Sequence, residues 1–177
     1  VSNVTNMSYL FYNAVKFDQP LNEWIVSNVE DMQAMFKNAI KFDQALDDWD
    51  VSNVTNMQSM FAGAHNFNKP LNKWDVSNVK YMGWMFRGAH NFDQSLDRWI
   101  VSNVRSMTSM FEKARKFNRP LSGWDVSNVQ NMHGMFYSAT DFNQSLDRWN
   151  VSNVQYMENM FGDSAMEDNN NTPEWYN

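Results

Sequence analysis

Three histidines (His65, His90 and His133) and one acidic cluster (Asp43, Asp47, Asp48 and Asp50) are the residues whose types invite chemistry. His65 and His90 hold equivalent places in adjacent repeats, and Asp93 is the one carboxylate near enough to complete a metal site with them. Exposed histidines without a metal are the preferred reading. The acidic cluster is rich enough to attract calcium, but it lacks loop spacing ending in a bidentate glutamate, so a solvated acidic face is favoured. With no cysteine there is no thiol nucleophile, thiolate metal site or disulfide. The six glycines are scattered and none opens a phosphate-binding loop. The recurring serines are accounted for as caps, so no Ser-His-Asp set can be argued. The expectation is a protein that is not an enzyme and uses no cofactor and no metal.

What must position any site is a repeat. Val-Ser-Asn-Val begins at Val1, Val26, Val51, Val76, Val101, Val126 and Val151, always 25 residues apart. Six full repeats and a partial seventh give one domain over residues 1–165, with 166–177 as a polar C-terminal cap or tail. A fixed period of this length predicts units that bury their apolar faces only against their neighbours. The 13 Phe fall in two columns, Phe11–Phe161 and Phe17–Phe142, and six of the eight Trp in a third, Trp24–Trp149. Such stripes are read as core.

In the second repeat, Ser27 and Asn28 suit a helix N-cap, and Val29, Met32, Met35, Phe36 and Ala39 follow at helical steps. Trp49 and Val51, two apart, suit a short strand. The fold class expected is an α/β repeat solenoid with one short parallel strand plus one short helix per 25-residue repeat. Helices are wider than strands, so the stack should curve like a leucine-rich-repeat protein and line its concave side with strands. An all-β coil without true helices is the alternative. The invariant asparagine of each cap, Asn3 to Asn153, is expected to form a ladder by bonding the backbone of its own and the adjacent coil.

Net charge is −6, which argues against nucleic-acid binding through a basic face. No apolar run approaches the ~20 residues of a membrane span. The chain opens on the first letter of a repeat, as a fragment or processed form would.

The pattern Trp124-Asp125-Val126-Ser127-Asn128-Val129, then Met132, Met135-Phe136, Ala139 and Phe142-Asn143-Gln144, resembles the 25-residue repeats of BspA-like surface proteins. The same repeat is abundant in mycoplasma surface lipoproteins and is grouped with leucine-rich repeats. The resemblance covers residues 1–161. It implies a curved repeat stack at an extracellular or cell-surface location, engaged in adhesion or host contact, and it brings no catalytic residues.

Columns that vary are free to recognise. Beside the tryptophan lie Glu23, Asp48, Lys73, Arg98, Gly123 and Arg148, and on its other side Ile25, Asp50, Asp75, Ile100, Asp125 and Asn150. Binding is expected at Lys73, Asp75, Arg98, Ile100, Asp50 and Asp125. A second patch, Tyr81 with Trp84 beside Arg87, is expected one helical turn apart on the outer face. The partner expected is a protein or glycan. The alternative is a structural spacer that self-associates end to end through an uncapped N-terminal repeat.

Overall fold

A computed structural model describes residues 1–176. The repeats fold as stacked 25-residue coils, but the coils contain neither the expected helix nor the expected strand. Among the described residues the regular elements are α1, Ala165–Asp168, and a 3-10 turn, Glu174–Tyr176, both beyond the last repeated phenylalanine. The α/β assignment is therefore incorrect.

Hydrogen bonding explains why. In a helix every interior N–H reaches the carbonyl four residues back. In the second coil the N–H groups divide instead. Those of Met32, Ala34, Phe36 and Asn38 donate to Asn56, Gln58, Met60 and Ala62 of the next coil at 2.7–3.0 Å. Those of Met35, Lys37 and Ala39 close three-residue turns onto Met32, Ala34 and Phe36. Two residues per coil take φ between +49° and +70°: the Tyr9 column, including Ala34 and Ser59, and the Asn13 column, including Asn38, Gly63 and Gly88. Two left-handed residues four positions apart are incompatible with a continuous right-handed helix, and each suits the third place of a type II turn.

The same turns account for the misleading apolar spacing. Bonds from Val29 to Val26, Met35 to Met32, Ala39 to Phe36, Phe42 to Ala39 and Trp49 to Leu46 each close a turn whose two ends are apolar. A β-turn brings its ends together over three residues, so a chain of turns places every third side chain inward much as a helix does. All of these turn ends are buried in the second coil. Ser27 and Asn28 are thus the middle of the Val26–Val29 turn and cap no helix.

The expected strand at Trp49–Val51 is likewise absent. The Trp49 N–H closes its turn, and the Ser52 N–H is taken by the Asp50 side chain at 3.1 Å. Parallel pairing occurs elsewhere, as single bridges along Asn6, Asp31, Asn56, Tyr81, Ser106, Asn131 and Tyr156. Without helices there is no difference in element width to bend the stack, so the argument for a strand-lined concave face falls with them.

Side chains tie coil to coil. Phe36 lies 4.1 Å from Phe42 within its coil and 5.6 Å from Phe61 in the next, ring centre to ring centre and nearly parallel. From Trp49 to Trp149 the column's Nε1–H groups donate to leucine carbonyls of the preceding coil, as Trp99 does to Leu71 at 2.9 Å. The asparagine ladder is present: Asn28, Asn53, Asn78, Asn103, Asn128 and Asn153 donate to Ser2, Ser27, Ser52, Ser77, Ser102 and Ser127 at 2.6–2.8 Å. These asparagines bond the adjacent coil while remaining solvent-exposed. At the C-terminal end Trp175 stacks on Trp149 at 6.4 Å and donates to the Leu146 carbonyl, continuing the tryptophan ladder from a non-repeated segment.

Candidate functional site

The varying columns flanking tryptophan do converge at one place. Lys73, Asp75, Arg98 and Ile100 line a groove of about 470 Å³ with Asn72, Trp74, Val76 and Ser77. Their roles differ. Lys73 bridges to Asp47 and Asp48 at 3.0 and 2.9 Å, and the bonds from Asp48 and then Asp47 hold its pKa above the usual lysine value. Arg98 has no carboxylate partner among the described residues. Ile100 is 61% exposed, in a column where the other coils carry Asp or Asn, Ile25 excepted.

The aspartates of that column serve the backbone. Asp50, Asp75 and Asp125 accept from the N–H groups of Ser52, Ser77 and Ser127 at 3.0–3.1 Å, and Asn150 does the same for Ser152. The hydroxyl and N–H of Ser77 hold the Asp75 carboxyl below the ordinary aspartate range, and Ser127 does so for Asp125. Such Asx turns fix the start of the following coil. Ile25 and Ile100 forgo that bond and expose an apolar side chain instead.

Tyr81 and Trp84 are not one helical turn apart, because there is no helix. Tyr81 is exposed in the bridge column. Trp84 is half-buried and lines a separate trough of about 340 Å³ with Tyr9, Gln33, Ala34, Lys37, Gln58, Ser59, Ala62 and Arg87. Tyr9 did not emerge from the sequence as a candidate. The signal was in its column, which reads Tyr9, Ala34, Ser59, Trp84, Ser109, Gly134 and Asn159, two large aromatics among small or short side chains.

His65 and His90 stack with ring centres 4.3 Å apart. Burial is the main cause holding His90 below the usual histidine pKa, followed by the charges of His65 and Arg115. Asp93, the carboxylate beside them in the sequence, is engaged by Arg119 at 2.6 Å and by the Asn118 N–H. No cluster of three or more metal-ligating side chains occurs among the described residues. No helix among them is long and apolar enough to cross a membrane.

Coils of one length, joined by recurring ladders and differing mainly outside the shared apolar columns, define a tandem-repeat protein. Within that class the chain belongs to the family described as Mycoplasma protein of unknown function, DUF285, which matches it twice in overlapping stretches, residues 1–92 and 71–175. No curated protein and no solved structure matches the chain.

Proposed function

We propose that this chain is a non-enzymatic recognition and adhesion module, displayed outside the cell or on its surface, that binds a protein or glycan through residues changing from coil to coil. The observation that carries this reading is the groove at Lys73, Asp75, Arg98 and Ile100. It joins an unpaired guanidinium to an exposed isoleucine, an arrangement suited to an interface anchor. The resemblance of the repeats to those of BspA-like surface proteins supports the location and the adhesive role.

Arrays of extracellular proteins and glycans probed with the purified chain test this. A ligand retained by the wild type and weakened about tenfold or more by Arg98→Glu is the expected result. Affinity untouched by Arg98→Glu and Ile100→Asp together would remove the groove from consideration. A solution mass that climbs with concentration, with no ligand on either array, would favour the end-to-end spacer.

A further inference from the structure

We propose that the trough between Tyr9 and Trp84 is a second binding site, built for a short neutral oligosaccharide. It shares no lining residue with the Lys73–Arg98 groove, so either site can fail without the other.

The shape follows from one column. Tyr9, Ala34, Ser59 and Trp84 stand at the same place in four successive coils, and Ala62 sits beside them in the neighbouring column. Small side chains therefore form a floor with an aromatic at each end. The Phe rings beneath step by 5.4, 5.6 and 5.7 Å per coil, so the two aromatics stand roughly 15–17 Å apart, the lower figure following from the ~4.8 Å spacing of paired chains. That length suits a di- or trisaccharide.

The backbone indicates that the aromatics are not there for the fold. Tyr9 and Trp84 take φ of 61° and 58°, the left-handed region that large side chains rarely adopt. Ala34, Ser59, Ser109 and Gly134 fill the same position with less bulk, so the coil does not require an aromatic. Strain kept where a smaller residue would serve is a mark of function.

Three observations select the ligand. First, the polar groups are neutral hydrogen-bonding ones. Neither the Ser59 hydroxyl nor the Gln58 carboxamide has a protein partner among the described residues, whereas Gln33 is held by Tyr9 and Asn56. Second, the cations do not make an anion site. Arg87 is bound by Glu112 at 3.0 Å, leaving Lys37, which lies over the Tyr12 ring at 5.7 Å. Third, the backbone cannot accept an extended peptide as an added strand. The N–H groups of Tyr9, Ala34, Ser59 and Trp84 all donate to the next coil, and their carbonyls all accept turn bonds. Aromatic faces carry negative charge density and attract the weakly positive C–H faces of a sugar ring, while amide and hydroxyl groups bond its hydroxyls.

The test is calorimetric titration of the purified chain with chitotriose, cellotriose and mannotriose. At least one is expected to bind, and Trp84→Ser, Tyr9→Ser and Gln58→Ala each to weaken it about tenfold or more. Trp84→Ser installs the residue that Ser59 and Ser109 already provide in this column, so it should fold and melt no lower than the wild type. Lys73→Glu with Arg98→Glu should leave sugar binding unchanged, which separates this site from the groove. No heat with any of the three sugars, or binding that survives both aromatic substitutions, would overturn the proposal.

Discussion

The Asn78 side-chain amide donates to the Ser52 carbonyl of the preceding coil at 2.8 Å, and the same bond recurs at every junction between coils. Alanine here leaves a carbonyl without its protein partner, but one that water can reach because the residue is exposed. Asn78→Ala should therefore cost about 0.5–1.5 kcal/mol, the net worth of an ordinary hydrogen bond. Urea unfolding checks it. An unchanged midpoint would mean that water replaces the amide fully.

The tryptophan ladder differs because it is dry. Trp99 is 3% exposed, and its Nε1–H meets the Leu71 carbonyl. Trp99→Phe keeps most of the packing and removes one of the two bonds to that carbonyl, which still accepts from the Trp74 N–H, so it should cost about 0.5–1.5 kcal/mol. The matching change at the half-buried Trp175 should cost less, since solvent can compensate there. Equal losses at the two positions would refute the burial argument.

Gly88 distinguishes coil from helix by the sign of one measurement. It takes φ of +66°, and a Cβ there would meet nothing closer than 4.0 Å, so conformation alone sets the cost. Gly88→Ala should destabilise by about 1–2 kcal/mol, the cost of an L side chain in the left-handed region. Inside a helix the same change would stabilise by about 1 kcal/mol. Far-UV circular dichroism provides the companion test, with little helical signal expected from the coils.

The apolar columns were legible because they repeat: Val, Met, Phe, Leu and Trp at fixed places declared the core and the coil period. Asn78 and its equivalents were legible as a ladder for the same reason. The backbone path was not, because a step of three arises from consecutive β-turns as readily as from a helix face. The discriminating evidence lay in the Asn13 column, where Asn13, Asn38, Gly63, Gly88 and Asp163 are residue types that tolerate positive φ. Glycine at the same point of two supposed helices contradicts a helix. At the groove, the proximity of Lys73 to Arg98 was readable from register. The service of Asp75 to the Ser77 N–H was not, because an Asx turn depends on the local path of the chain.

His90 gives the stack a pH dependence whose sign can be worked out. Burial is the first cause lowering its pKa, and the neighbouring charges of His65 and Arg115 act the same way. The column around it carries Ile40, His65, Arg115 and Thr140, so no carboxylate within the column offsets these charges. A histidine with a depressed folded pKa binds its proton more readily when unfolded. Stability from this residue is therefore complete above the unfolded value of about 6.5 and declines as pH falls through it toward the folded value. His90→Thr, which copies Thr140 of the same column, should flatten this part of the profile and raise the melting temperature at pH 5 relative to wild type. Thermal melts of both proteins from pH 8 to pH 5 decide the matter. Parallel profiles for wild type and His90→Thr would show that His90 does not resist protonation in the folded stack.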